Sequence, residues 1–173
     1  MERDQIAAEM QRAARDFRDL LDNATSAELR RGTRDTKWTN EQLLFHMLFG
    51  YMLVRNLLVL VRFFARLPDG FSRRFAALLN AGTRPFHVVN YVGSLGGARV
   101  LGHARMERVM DRVVRSLHAS LMTASEDRLA RGMHFPTGWD PYFRDYMTLA
   151  EVYHYATQHY DHHRRQLTLV ATS

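Results

Sequence analysis

The chain has 173 residues, which predicts a single domain, residues 1–173, with a full hydrophobic core. It contains no cysteine, which excludes disulfide bonds, thiolate metal sites and a cysteine nucleophile, so histidine, aspartate or glutamate must bind any metal. The formal net charge is +6, but the arginines are spread along every segment and no nucleic-acid-binding motif is present, so we expect no nucleic-acid partner.

The first predicted helix covers about residues 3–22, and the stretch from there to Trp38 lacks a helical period and is predicted to be a loop. The first residues are charged and have no apolar stretch typical of a signal peptide, so we expect a cytoplasmic protein. The apolar residues of this helix recur at intervals of three and four: Ile6, Met10, Ala13, Phe17 and Leu20.

A second helix is predicted from a capping box, formed by Thr39 and Gln42, to about Leu67. Its apolar part is long enough to cross a bilayer, but Arg55 and Asn56 lie at its middle, where a charge is costly in lipid. We therefore expect no membrane span. One face suits the core, and a second ridge suits another copy of the chain: Met52, Val59 and Phe63.

The middle of the chain is predicted to be less regular. A short amphipathic turn is expected at residues 73–80, followed by a long crossover at residues 83–97, which contains one proline and three glycines. A third helix is predicted at about residues 97–122, and a fourth runs from the capping box of Thr148 and Glu151 to about Leu169. Residues 131–147 are expected to be irregular.

These elements predict an all-α fold, because four long segments have a helical period and no segment has a convincing strand alternation. Short connections join neighbouring antiparallel helices, and a long connection permits a crossover. We therefore expect a four-helix bundle with a long crossover between helices 2 and 3.

Histidines in the last predicted helix suggest a metal site. His159 and His163 are four residues apart, a spacing that places side chains about 6 Å apart along a helix and about 40° apart around it. Both face the buried side, whereas His162 points away. A third ligand should come from another helix, and His46 on the core face of helix 2 is preferred over His103. The alternative is that these histidines only pack and form hydrogen bonds in the core.

Two stretches, "TKWTNEQLLFHM" and "MTLAEVYHYATQHYDHHRRQL", resemble the two signatures of the DinB/YfiT superfamily of metal-binding four-helix bundles. The first stretch carries Trp38 and His46, which match the tryptophan and the first ligand of that family. The second carries the HxxxH pair, here His159 and His163. The segment from about residue 67 to residue 95 has no match to the family pattern.

The resemblance implies a divalent metal, commonly zinc or nickel, and a homodimer. Characterised members of the family include S-transferases that use bacillithiol or mycothiol and a thiol-dependent maleylpyruvate isomerase, so the implied partners are a small-molecule substrate and a low-molecular-weight thiol such as mycothiol. Three protein ligands leave a coordination position open for chemistry. It can favour the thiolate of a bound thiol or activate water for hydrolysis.

Other functions and further site residues stay open at this stage. A non-catalytic metal-binding or ligand-binding stress-response protein would keep the same bundle, so the sequence does not decide whether the protein is an enzyme. Gln42 and Tyr155 each precede a ligand by one turn and are candidates to orient it. Arg164 is a candidate to attract an anionic thiol, although such arginines commonly pair with a carboxylate or remain solvated.

Overall fold

The computed structural model describes residues 2–169, which form eight helices and two short strands. In chain order these elements are α1 Arg3–Asn23, α2 Ser26–Arg30, α3 Asn40–Phe64, α4 Asp69–Ala81, α5 Thr83–Leu101, α6 His103–Met122, α7 Glu126–Ala130, β1 Gly132–His134, β2 Tyr146–Thr148 and α8 Leu149–Arg164.

Four long helices, α1, α3, α6 and α8, build the core of the fold. Helix α3 packs against α8 and α6, and α1 packs against α6 and α8. The apolar face predicted for the first helix is buried, and so is the apolar face of α6, as Phe17 and Met110 illustrate with no exposed surface. The all-α fold and the bundle of four long helices are therefore confirmed.

The capping boxes predicted for the second and last helices are both present. The side chain of Thr39 accepts from the backbone of Gln42, whose side chain accepts in turn from the backbone of Thr39. Thr148 and Glu151 form the same reciprocal pair at the start of α8. Helix α8 ends at Arg164 instead of continuing to Leu169, so the last turn of that prediction is wrong.

The crossover is helical, so the prediction of an irregular segment at residues 83–97 is wrong. Pro85 lies in the first turn of α5, where backbone N–H groups have no partner within the helix, so the proline breaks no hydrogen bond. Gly97 allows close approach to α3, because a Cβ atom there would lie 2.0 Å from the ring of Phe45. The helical segment is interrupted at Gly102, which adopts a positive φ of 67° between the end of α5 and the start of α6.

Two segments expected to be irregular contain regular structure. Helix α2 lies within the predicted loop after α1, and residues 131–147 contain strand β1 and all but the last residue of its antiparallel partner β2. Each strand has three residues, too few to show an alternating pattern. Gly132 is required by this pairing, because a Cβ atom there would lie 2.3 Å from the carbonyl oxygen of Met147.

Helix α3 is the one helix within residues 2–169 that is long and apolar enough to cross a membrane by length and composition. Half of its most apolar stretch is buried inside the bundle, as in the central helix of a packed domain, so this feature is weak evidence for a span. The predicted outer ridge is present, with Val59 62% exposed and Phe63 56% exposed.

Candidate metal centre

Three histidines meet between α3 and α8. One ring nitrogen from each of His46, His159 and His163 lies within 4.8 Å of the corresponding nitrogens of the other two. The Nε2 atoms of His46 and His159 are 3.2 Å apart. Two imidazole nitrogens bound tetrahedrally to one zinc ion at about 2.0–2.1 Å would be separated by about 3.3 Å. The residues are therefore spaced as ligands of one ion are.

The close packing of α3 and α8 places these rings together. His159 and His163 share one face of α8, and His46 lies on the buried face of α3, where it is 5% exposed. Gly50, one turn after His46, leaves room for the ring of His159, because a Cβ atom there would lie 2.5 Å from Nδ1. The glycine thus allows the two helices to approach at the site.

Hydrogen bonds at the outer nitrogens orient two of the rings. Nδ1 of His163 donates to the side-chain oxygen of Gln166 over 2.7 Å. Nδ1 of His46 lies 3.3 Å from the hydroxyl of Ser94, which donates its own proton to the carbonyl of Asn90 and therefore accepts here. These bonds leave both Nε2 atoms unprotonated and free to bind a cation.

Burial keeps the three rings neutral. It lowers the pKa of His46 to about 3 and that of His163 to about 4, and it holds the pKa of His159 well below its usual range. Nδ1 of His159 is buried without a hydrogen-bond partner among the described residues. Neutral imidazoles with converging lone pairs are the donor set that zinc and nickel accept. The cluster therefore fits a divalent metal.

Asp140 lies beside the histidines and was missed by the sequence analysis. Its Oδ2 is 3.8 Å from Nε2 of His159 and accepts a hydrogen bond of 2.9 Å from the hydroxyl of Tyr155. Burial raises the pKa of this carboxyl group. The residue belongs to the irregular stretch between β1 and β2, where no period predicts direction; its one signal is that it is the single acid within "PTGWDPYF".

The further site residues proposed from the sequence have different roles in the structure. Tyr155 contacts His159 and orients Asp140, whereas the side chain of Gln42 caps α3. Arg164 forms an ion pair with Asp16 on α1. His103 is exposed at the start of α6 and is outside the cluster.

The sequence gives His134 no position on a helical face, and the structure buries it in the small sheet. It is 5% exposed, and its Nδ1 lies 3.1 Å from a carboxylate oxygen of Asp145. Histidine 134 is therefore a buried side chain of the small sheet and has no part in the metal cluster.

Aromatic rings cover the histidines. The ring of Trp38 lies 4.5 Å from that of His46. On another side, Trp139 stacks on Phe86 with a centroid separation of 3.8 Å and an angle of 9°, and its Nε1 donates to the carbonyl of Leu79. These contacts fix the loop that carries Asp140 against α4 and α5, and the packing shields the histidines from bulk solvent.

Two cavities adjoin the cluster. The first, of about 30 Å³, reaches His46, His159 and Asp140; this volume is close to that of one water molecule in the liquid. The second, of about 180 Å³, lies between α3 and α5. Both are lined by Phe49, Phe86 and Asn90, so they are adjacent spaces, and the larger one opens to solvent at Val89, which is 70% exposed.

The chain matches a known protein family. A family model described as the DinB superfamily matches residues 9–167, a range that contains the three clustered histidines and Asp140. No curated protein and no solved structure matches the chain significantly.

Proposed function

This chain belongs to the DinB superfamily, and on that premise we propose that it is a metal-dependent enzyme that activates a small-molecule thiol. His46, His159 and His163 hold one divalent ion, zinc or nickel. The observation that carries the proposal is the convergence of their ring nitrogens within 4.8 Å, with two of the outer nitrogens already engaged by Ser94 and Gln166.

A bound ion supplies a Lewis acid that favours the thiolate form of the thiol, which is the reactive nucleophile. Asp140 faces the same space, and its Oδ2 can accept the proton that the thiol loses. Its burial supports this role, because a raised pKa makes a carboxylate a better proton acceptor. Tyr155 holds that carboxylate in place through its hydroxyl group.

The thiolate then attacks an electrophilic carbon of a substrate bound in the cavities beside the histidines. The new carbon–sulfur bond forms as the bond to the leaving group breaks, and the leaving group departs with its electron pair. Phe49, Phe86 and Trp139 line the smaller of these spaces, and their aromatic rings limit the access of bulk water to the nucleophile. The composition is rich in arginine and poor in lysine, which is typical of genomes with high GC content, and such a genome favours mycothiol over bacillithiol. Mycothiol is therefore the thiol to test first. The thiol and the electrophile are the two small-molecule partners in this proposal.

A metal-dependent hydrolase is the second candidate. The cavity of about 30 Å³ beside His46 and His159 has the volume of one water molecule. Asp140 could accept a proton from that water as it could from a thiol. Added thiol distinguishes the two reactions, since only the transferase depends on it.

The proposal includes the wider organisation of the protein. Residues 1–173 act as one cytoplasmic domain, and two copies associate through the outer ridge of α3. Met52, Val59 and Phe63 support this surface, because they are 36%, 62% and 56% exposed although they are large and apolar.

The first experiment measures metal content. Protein purified without added metal should contain one divalent ion per chain, and His46→Ala, His159→Ala and His163→Ala should each lose it. His162→Ala is the matched control, because His162 lies on the same helix but outside the cluster. Retention of metal by all three variants would contradict the site.

The second experiment measures turnover. Zinc-loaded and nickel-loaded protein is incubated with mycothiol, bacillithiol or glutathione and an alkylating electrophile, and parallel reactions contain an ester without thiol. Asp140→Asn should retain metal and lose turnover. Turnover of the ester alone would favour the hydrolase, whereas full metal content with no turnover in any reaction would favour a non-catalytic metal-binding protein.

A further inference from the structure

Two glycines on one face of α5 have different surroundings. Gly93 and Gly97 are four residues apart, so both face α3. The ring of Phe45 occupies the space beside Gly97, where a Cβ atom would lie only 2.0 Å away. No heavy atom lies within 4 Å of the corresponding position at Gly93. Gly93 is exposed, and its missing side chain therefore leaves an open groove at the surface between α3 and α5.

This space is the cavity of about 180 Å³, and its lining is almost entirely apolar. No charged side chain lines it, and Asn90 and Ser94 contribute its polar groups. The residues that line it with Gly93 are Phe45, Phe49, Phe86, Val89, Asn90 and Ser94, and the groove opens to solvent at Val89, which is 70% exposed.

The apolar cavity leads to the histidine cluster. Phe49, Phe86 and Asn90 also line the small cavity that reaches His46 and His159. Ser94, at the edge of the apolar cavity, is the residue whose hydroxyl group contacts Nδ1 of His46. A molecule in the larger space is therefore next to the reactive side of the site.

We propose that this cavity binds the apolar part of the substrate, a neutral group of about one ring, with the reactive end directed toward the histidines. The inference rests on the proposed function. An enclosed apolar cavity of about 150 Å³ is large enough to bind benzene, so a space of about 180 Å³ accommodates one ring with a small substituent, one side of which stays in contact with solvent at Val89. A charged group would lose part of its hydration against this apolar lining without gaining a charged partner, so the class is a neutral aromatic or branched aliphatic electrophile.

Fluorobenzene is a suitable probe, and its binding is followed by fluorine NMR with zinc-loaded and metal-free protein. Gly93→Leu places a side chain in the cavity, and Gly96→Leu is the matched control. Gly96 also lies within α5 and has no heavy atom within 4 Å of its Cβ position, but it does not line the cavity. Both changes replace glycine by the same better helix former.

We expect wild-type protein and Gly96→Leu to bind fluorobenzene equally well. Gly93→Leu should bind it about tenfold more weakly or worse, because the ring can no longer bury its apolar surface. Gly93→Ala, a smaller change, should have an intermediate effect. Circular dichroism verifies that each variant folds.

Absence of binding to the wild type overturns the inference, as does equal binding by Gly93→Leu or equal loss in the Gly96→Leu control. Sedimentation of the same samples tests whether a second copy of the chain fills the cavity instead. If Gly93→Leu converts a dimer to a monomer and wild-type protein does not bind fluorobenzene, the cavity is a contact between copies and the inference is wrong. Zinc content is measured in parallel. If the protein binds fluorobenzene but holds no zinc, only the proposed function is contradicted.

Discussion

His46 on α3 and His159 on α8 approach until their Nε2 atoms are 3.2 Å apart. The ring of His159 packs directly over Gly50 on α3, where a Cβ atom would lie 2.5 Å from its Nδ1. The geometry of the candidate metal centre therefore depends on the absence of a single side chain one helical turn from a ligand.

Gly50→Ala should weaken metal binding. The new methyl group would displace the ring of His159 or separate the two helices, and overpacking of this kind costs about 1–3 kcal/mol. We expect zinc affinity to fall by about tenfold or more, since ligand geometry is disturbed. Chelator competition measures the affinity, and urea unfolding of metal-free protein measures the stability.

Gly96→Ala is the control for this change. It also replaces a glycine within a helix, but no heavy atom lies within 4 Å of the new Cβ position. We expect unchanged zinc affinity and a gain in stability of about 0.5–1 kcal/mol, because alanine is the better helix former. If Gly50→Ala behaves like Gly96→Ala, the close approach at Gly50 is unimportant.

Gln166 should control how well His163 binds the ion. Its side-chain oxygen accepts the Nδ1 proton of His163 over 2.7 Å and so presents Nε2 to the site. We expect Gln166→Leu to reduce zinc affinity by about 10–100-fold, the usual effect of removing such a partner. Gln166→Glu keeps an acceptor and should retain the affinity.

The comparison variant is Gln5→Leu, because Gln5 makes an exposed hydrogen bond to Glu9 far from the site. Isothermal titration with zinc gives the affinity of each variant at one pH. An affinity for Gln166→Leu equal to that of Gln5→Leu would show that the bond from Gln166 does not orient His163.

The stability of metal-free protein should decrease as pH falls below neutral. Burial lowers the pKa of His46 to about 3 and of His163 to about 4, whereas a histidine in the unfolded chain has a pKa of about 6.5. Between these values the unfolded chain binds more protons, so the free energy of unfolding rises with pH. The stabilisation is complete above about pH 6.5 and is lost progressively toward about pH 3.

His46→Gln tests the contribution of one ring, because glutamine does not titrate. Urea unfolding at several pH values from about 4.5 to about 6 should give a slope smaller by about 1 kcal/mol per pH unit in this variant. Identical slopes in the variant and the wild type would show that His46 titrates normally in the folded protein.

The histidine cluster could be predicted from the sequence because the helical period shows which side of a helix each residue faces. His159 and His163 share the buried face of one amphipathic helix, and His46 lies on the buried face of another. Once two such helices pack in one bundle, residues on their inner faces meet. Gln42 and His103 were candidates for the same reason. The helical period shows which side of a helix a residue is on, but not whether its side chain caps the helix, as Gln42 does, or stays exposed, as His103 does.

Helix α5 was not predicted because its cause is tertiary. Glycines lower helix propensity. A local sequence pattern shows this unfavourable propensity, but it does not show the tertiary contact that compensates for it. Gly97 gives that compensation by allowing the ring of Phe45 to pack against the helix backbone. Asp140 was missed for a related reason, since its direction is set by hydrogen bonds to Tyr155 and to the backbone of Tyr142.

Asn40 connects the start of α3 to the segment that follows α8. Its side chain is completely buried and donates to the carbonyl of Glu28 and the hydroxyl of Thr168, while its oxygen accepts from the backbone of Thr168. Gln166 lies two residues before Thr168. The contacts of Asn40 therefore hold in place the segment that orients His163.

Asn40→Ala should destabilise the protein by about 2 kcal/mol or more, because it leaves buried polar groups without partners. Since the segment after α8 also carries Gln166, we expect zinc affinity to fall in the same variant, which urea unfolding and chelator competition measure separately. Asn23→Ala is the control, because Asn23 is exposed and its side chain donates one bond, to the carbonyl of Asp19. Its effect should stay within about 0.5 kcal/mol. A loss of stability in Asn40→Ala with unchanged zinc affinity would show that the histidines are positioned independently of this link.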